Sequence, residues 1–426
     1  MSERPWQIEG RGAANSDLLR RDADVFFHQE GSSPCLAALR GVSGIWIEDV
    51  DGNRYIDLHG NTVHHLGHAH PKLIAALVGQ IHDLPFSPRR FANEPATLLA
   101  EKLVSLWPGP RARVLFATGG SDAIEIALRL AFVATGRSEI VSLEGSYHGH
   151  GFGALGLSGA SVDPRLAHVA PGRHHVTAYW DEAAGGAERM IEDIERAFAG
   201  SKGGIAAVIA EPIRSNCHVP PDGLWPAVRS ICDRHGARLI FDEIPSGLGK
   251  TGRFFAFTHY AVVPDAVVLG KALGGGLLPI AAVIADADMN VAPELNLGHY
   301  THEKNPLAAR VALTTIQVIE EEGLGARAAR LGEYAIRALA KVAERSPRVR
   351  CLRGKGLLAA IELNDDVEGG RTSSTLANEA LRACFQRGVS TVTKPGGALG
   401  FSPPLIIGEA EIDLTMSRIA AALESL

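Results

Sequence analysis

The spacing of apolar positions changes character near residue 96. Before that point, GIWIEDVDGNRYIDLHG alternates apolar and polar residues on either side of Asp51-Gly52-Asn53, a hairpin signature. PKLIAALVGQIHDL follows with apolar residues at helical spacing. A short helix precedes both. From about residue 96, helices alternate with short apolar runs. ATLLAEKLVSLW, SDAIEIALRLAFVAT and GLWPAVRSICDRHG have helical spacing; ARVLFAT, EIVSLEG, IAAVIAEP, ARLIFDEI, DAVVLGKAL and IAAVIA read as buried strands. This alternation predicts an α/β architecture, a mostly parallel sheet wrapped by helices. After about residue 310 a long helical stretch, ARVALTTIQVIEEEGLGARAARLGEYAIRALAKVAER, leads into a smaller α+β region. Its strand candidates are CLRGKGLLAAIEL and VSTVT, and it closes on the helix EAEIDLTMSRIAAALESL. The expected organisation is a large domain over 96–310 and a C-terminal small domain over 311–426, with residues 1–95 contributing to the small domain.

Composition adds exclusions. The 426 residues are 46% hydrophobic and 21% charged, enough apolar material for a sizeable core. A net charge of −6 disfavours a general partner role with nucleic acid or anionic membrane. No run reaches the length of a membrane span, and the N-terminus lacks the apolar core of a secretory signal. Cys35, Cys217, Cys232, Cys351 and Cys384 are scattered without metal spacing and read as reduced thiols of a cytoplasmic protein.

The chemistry concentrates between Leu239 and Gly276. Asp242-Glu243 ends one apolar strand, and Lys271 ends the next, followed by the glycines 274–276. Pyridoxal phosphate enzymes need these residue types: an amine to bond the cofactor aldehyde, and a buried carboxylate to keep the pyridine nitrogen protonated. The same residues would serve equally well as a strand-end cap and a surface lysine. Gly119-Gly120-Ser121 opens a helix after a strand, where free N–H groups favour an anion such as the cofactor phosphate, or a simple helix cap. Ser146-Tyr147-His148-Gly149-His150 also follows a strand, and Tyr147 is either a ring to stack on the pyridine or a packing residue.

Together these segments resemble the class III aminotransferases of fold type I. DVDGNRYIDL, LGHAHPKLIAAL, FATGGSDAIEIALRLA, EGSYHGH, AEPI, FDEI, LGKALGGGLLPIAAVIA, THEKNPLAARVAL and LRGKGLLAAIEL occur in the family's order from about residue 30 onward. The resemblance implies a large domain with a mostly parallel seven-stranded sheet, pyridoxal 5′-phosphate as cofactor, a small-molecule amine as substrate, and a homodimer with shared active sites. It implies Lys271 and Asp242 as catalytic residues, with Gly120 and Ser121 on the phosphate. Tyr147 and Ile244 would lie on the two ring faces, His148 and Glu211 near the cofactor, and Thr301 on the neighbouring subunit's phosphate.

Three departures bear on activity. The arginine that grips an α-carboxylate in this family falls at Gly400, so either transamination of keto acids is lost or another arginine supplies the clamp. Thr301 is followed by His302-Glu303-Lys304, and Pro245 replaces a glutamine. Phe27-His28-Gln29, Pro34-Cys35-Leu36, the HGNTVH run, Pro88-Arg89-Arg90 and THEK resemble the (R)-1-hydroxy-2-aminoethylphosphonate ammonia-lyase subgroup. That resemblance implies elimination of ammonia from a hydroxylated amino-phosphonate to give phosphonoacetaldehyde. An aminotransferase and a non-catalytic member of the fold are the alternatives. His59, Asn61, His64, Arg89, Arg90, Lys304 and Lys394 are the substrate candidates, with Arg89 or Arg90 expected on the phosphonate. The histidines of the LHGNTVHHLGHAHP run also invite a metal reading, but no metal is expected, because the cofactor already supplies the electrophile.

Overall fold

The computed structural model describes residues 12–29, 35–163, 165–166 and 172–426. The N-terminal eleven residues and Pro34, both used in the sequence reading, lie outside the described residues.

Seven strands form the large sheet: β1 (Ala112–Ala117), β2 (Glu139–Leu143), β3 (Arg173–Val176), β4 (Ile205–Ala210), β5 (Arg238–Asp242), β6 (Ala266–Leu269) and β7 (Ala281–Asp286). Their order is β1-β7-β6-β5-β4-β2-β3. The neighbours from β3 through β6 are parallel, and β7 runs antiparallel to both β1 and β6. A parallel sheet must be covered on both faces, which explains the unbroken apolar runs. Every residue of β4 and β6 is buried. Successive side chains divide between two cores. Ala207 and Ile209 of β4 and Ile240 of β5 pack with the helix Gly120–Thr135, through Ile124, Ala127 and Leu128. Val208, Leu239 and Phe241 pack on the opposite face with Trp225 and Val228 of the helix Leu224–His235.

The remaining sheets are small and antiparallel-rich. The hairpin around Gly52, which takes φ +89, joins Trp46–Asp49 to Arg54–Asp57 as its alternation predicts. Arg54–Asp57 also pairs in parallel with Val389–Ser390, so the two ends of the chain share one sheet. CLRGKGLLAAIEL, read as strand-like, is a hairpin: Val349–Lys355 pairs with Leu358–Leu363 around Gly356 at φ +60. VSTVT divides between two sheets, Val389–Ser390 in the one just named and Thr393–Lys394 paired with Ala398–Phe401. The long helical stretch is two helices, Pro306–Glu321 and Leu324–Arg345. Gly323 separates them in the left-handed conformation (φ +60), which glycine adopts without a Cβ clash. No described helix is long and apolar enough to cross a membrane. Cys217, Cys232, Cys351 and Cys384 are free thiols, and Cys35 Sγ donates to Asp22 Oδ2 at 3.6 Å.

A carboxylate braces the segment that leads from the small sheet to the site. Asp57 Oδ1 accepts from the amides of His59 (3.0 Å) and Gly60 (2.9 Å), and Oδ2 accepts from His68 Nε2 at 2.9 Å. His64 Nε2 lies 3.2 Å from the Asp57 carbonyl. Asp57, His64 and His68 place ligand-type atoms within 4.8 Å of one another. Both Asp57 oxygens are already engaged in these hydrogen bonds, and the group is a structural brace. Burial pushes the Asp57 carboxyl up, but the His68 hydrogen bond, the His64 charge and the two amides outweigh it and hold it down to about 2.

Removing this carboxylate strands buried donors, so Asp57→Ala is expected to lower stability by about 3 kcal/mol in urea melts near pH 7. The folded value lies below the ordinary 3.8. The stabilisation is therefore complete above pH 3.8 and is lost as pH falls through 2. The gap between wild type and variant should narrow across that window, and a pH-independent gap would contradict the brace.

Candidate active site

The C-terminal edge of the large sheet is where parallel strands deliver side chains to a common crevice. Gly119–Ser121 follows β1, Ser146–His148 follows β2, Glu211 follows β4, Asp242 ends β5 and Lys271 follows β6. These segments enclose a cavity of about 210 Å³ lined by Gly120, Ser121, Tyr147, His148, Glu211 and Asp242, with Ile244, Pro245 and Lys271 completing the wall. A larger hollow of about 670 Å³ is lined by Glu101, Arg113, Asp286, His299 and Glu303 among apolar residues, but by neither lysine nor cysteine.

Asp242 is 2% exposed. Its Oδ2 accepts from His148 Nδ1–H at 2.7 Å and its Oδ1 from the Ile244 amide at 3.1 Å. His148 is equally buried, and its Nε2 has no partner. A buried carboxylate positioned in this way is suited to hold a proton on a ring nitrogen.

Lys271 adopts φ +46, an uncommon conformation for a residue with a side chain. Burial pushes its ammonium below the ordinary lysine range; Asp242 and Glu211 oppose that shift, and Lys394 reinforces it. Glu211 Oε1 accepts from the Ser215 amide at 3.0 Å, while Oε2 is buried without a hydrogen bond and lies 3.9 Å from Arg214 Nε. Arg214 stacks over Trp180 at 4.1 Å.

The other end of the cavity is a backbone cradle. Gly120 begins the helix Gly120–Thr135, whose first amides have no partner within the helix. A Cβ on Gly120 would come within 2.8 Å of Ile244 Cδ1, and one on Gly149, at φ +122, within 2.4 Å of Ser121 Oγ. Ser121 Oγ also accepts from the His150 amide at 3.1 Å. Glycine is thus required where loop and helix meet. Tyr147 is 52% exposed over the cavity mouth, edge-on to His150 at 5.4 Å.

These features fit pyridoxal phosphate: a desolvated amine, a buried carboxylate, helix N–H groups for a phosphate, and buried unpaired polar atoms on His148 and Glu211, two residues of the cavity wall. The structure brings together Lys271, Asp242, Gly120, Ser121, Tyr147, His148, Glu211 and Ile244. Ser215, four residues past Glu211, also lines the cavity and was not anticipated. Its only sequence signal is its place in the loop leaving a buried strand.

The substrate candidates separate. His59 lies near enough to Lys271 and Lys394 to feel their charge, and burial first, then Lys394, lowers it to about 4. Asn61 is exposed, with φ +46, and hydrogen-bonds His59. His64 is fully buried in the Asp57 brace, and the structure sets it apart from the cavity. Arg89 and Arg90 are exposed in a turn closed by the Phe91 amide on the Pro88 carbonyl at 2.8 Å, and neither of them lines the cavity, contrary to the expected contact with the phosphonate. Thr301 and Lys304 lie outside it as well. Their loop joins the Arg89 segment: Phe86 meets His302 edge-on at 5.4 Å, and Asn93 Nδ2 donates to the Lys304 carbonyl at 3.0 Å.

Comparison with known proteins agrees with this geometry. The aminotransferase class-III family profile matches residues 27–423. The (R)-1-hydroxy-2-aminoethylphosphonate ammonia-lyase of Vibrio splendidus is 37% identical over 98% of this chain and 92% of its own. The acetylornithine aminotransferase of Methanopyrus kandleri is 34% identical over 90% of this chain and 93% of its own. Among solved structures, an (S)-enantioselective omega-transaminase from Thermomicrobium roseum superposes with TM-score 0.87 at 30% identity, covering 98% of this chain and 99% of that one. The cavity's lining fits the pyridoxal phosphate on which this family depends, and the chain belongs to the class III aminotransferase family.

Proposed function

We propose that this enzyme is an ammonia-lyase that converts a hydroxylated amino-phosphonate, of the type (R)-1-hydroxy-2-aminoethylphosphonate, to phosphonoacetaldehyde and ammonia. The observation that carries the reading is Gly400, buried in the strand Ala398–Phe401, which offers no guanidinium to the carboxylate of an amino or keto acid. The 37% identical ammonia-lyase supports the same choice. The second reading, an aminotransferase, is favoured by the acetylornithine aminotransferase relative and by the transaminase structures.

Pyridoxal phosphate, when bound, supplies the electrophile for the substrate amine and the electron sink for the carbon beside it. Lys271 Nζ, whose ammonium is pushed below the ordinary lysine range by burial, takes the proton from the carbon that bears nitrogen. Asp242, fixed by His148, holds the proton on the cofactor nitrogen. Ser121 and the first amides of its helix hold the phosphate, and Ile244 and Tyr147 confine the ring. The hydroxyl on the adjacent carbon departs with a proton as water. Water then adds to the resulting unsaturated amine, releasing ammonia and the aldehyde. Water lost is water regained, so no keto acid is consumed. In a homodimer of the kind the family resemblance implies, Thr301 reaches the phosphate of the neighbouring subunit and Lys304 lies in the same loop.

The decisive assay is release of ammonia and phosphonoacetaldehyde from the hydroxylated amino-phosphonate without any keto acid. Turnover that appears only after an acceptor is added would establish the aminotransferase instead. Lys271→Ala should abolish turnover, and borohydride reduction with peptide mapping of the wild type should place the pyridoxyl label on Lys271; a label on another lysine would overturn the assignment. Asp242→Asn should retain cofactor but react at least about a hundredfold more slowly, as expected when one electrostatic partner of the transition state is lost. Near-normal turnover would remove Asp242 from the machinery.

A further inference from the structure

The hairpin near the C-terminus contains a cation without an anion. Thr393–Lys394 pairs antiparallel with Ala398–Phe401, with Lys394 opposite Ala398. The Gly400 amide donates to the Val392 carbonyl at 2.8 Å. This register puts Val392, Lys394 and Gly400 on one face of the hairpin, because side chains alternate along a strand. A Cβ built on Gly400 would lie 3.1 Å from Lys394 Cε and 3.1 Å from Val392 Cγ1. The space beside residue 400 is thus filled by the lysine stem, and a longer side chain there would have to displace it.

The lysine stem carries its ammonium toward the active site. Lys394 Nζ donates to the Ser215 carbonyl at 3.0 Å, and Ser215 lines the cavity that holds Lys271. That is one bond for a group with three donors. Among the described residues no carboxylate forms an ion pair with it. Glu362, across the same small sheet, is occupied by Arg350 and Arg353. Both Lys271 and His59 lie within electrostatic reach of the Lys394 charge. A partly buried cation with a single neutral acceptor gains most from an arriving anion.

We propose that Lys394 is the residue that binds the anionic tail of the substrate, and that the absence of a side chain at Gly400 is what gives it room to do so. This rests on the amino-phosphonate reading. A compact ammonium suits a tetrahedral dianion, whereas a planar carboxylate is better matched by the fork of an arginine. One hairpin would thus both lose a grip on carboxylates and acquire one on phosphonates. Arg89 and Arg90 are then surface residues of their own chain.

The test uses binding to the holoenzyme, read from the cofactor's visible absorption, so that it does not depend on turnover. The probes are 2-aminoethylphosphonate and propylamine, an amine that lacks the anionic tail. Lys394→Met should weaken 2-aminoethylphosphonate binding about tenfold or more relative to propylamine, the loss expected for one charge-assisted contact. Equal weakening of both amines would show a merely structural role and overturn the proposal. Unchanged phosphonate binding would also overturn it and locate the anion elsewhere. Gly400→Ala provides a second reading that keeps the lysine: its Cβ presses on the stem and should lower phosphonate affinity selectively, while unaltered selectivity would contradict the shared-space argument. If wild type releases no ammonia without an acceptor yet the selectivity falls in Lys394→Met, the lyase reading fails and the anion site stands.

Discussion

Keeping a carboxylate charged inside an apolar sheet is the constraint around which the site is arranged. An unpaired buried charge costs several kcal/mol. Asp242 ends a strand whose apolar residues Leu239, Ile240 and Phe241 serve the core, and its carboxylate is met by one imidazole and one amide. The imidazole comes from 94 residues earlier in the chain. Seating His148 there fixes the loop after β2, which carries Tyr147 over the cavity mouth and brings Gly149 against Ser121. The carboxylate therefore organises three strand ends at once, and the pyridine-side and phosphate-side contacts are consequences of the same hydrogen bond.

Charge is balanced a second time around Lys271. Burial and the Lys394 ammonium push its proton off, and Asp242 and Glu211 pull it back. The reactive amine sits between opposing fields, and substrate arriving at Lys394 would alter one of them. Binding and proton transfer share an electrostatic environment even though they occupy different elements.

The parts legible in the sequence were those set by local pattern. Apolar runs ending in Asp242 and Lys271 announced both strand ends, and the glycine turn before Ser121 announced a helix N-terminus. The architecture followed from the alternation of helices and buried strands. What escaped depended on distance or on one backbone angle. Gly323 divides an apparently continuous helical pattern because a single left-handed residue costs glycine little. The turn at Gly356 makes a hairpin of what reads as one apolar segment. Histidines cannot be sorted by spacing: His59 and His64 lie five apart, yet one neighbours the reacting lysine and the other is sealed into the Asp57 brace. The meeting of Lys394 with Gly400 needs a cross-strand register, which no one-dimensional pattern specifies.

The sheet order also dictates when this protein can become whole. β1 sits at an edge and finds its hydrogen-bonding partner only in β7, with Ala117 opposite Ala281. At a synthesis rate of ~5–20 residues per second, β1 waits roughly ten to thirty seconds for that partner to emerge. Arg54–Asp57 waits longer still, for Val389–Ser390. Through that interval an apolar strand edge is open to the wrong pairing. A nascent chain of this topology is thus a natural client for holding factors, and its yield should respond more to translation rate and temperature than to the stability of the finished fold.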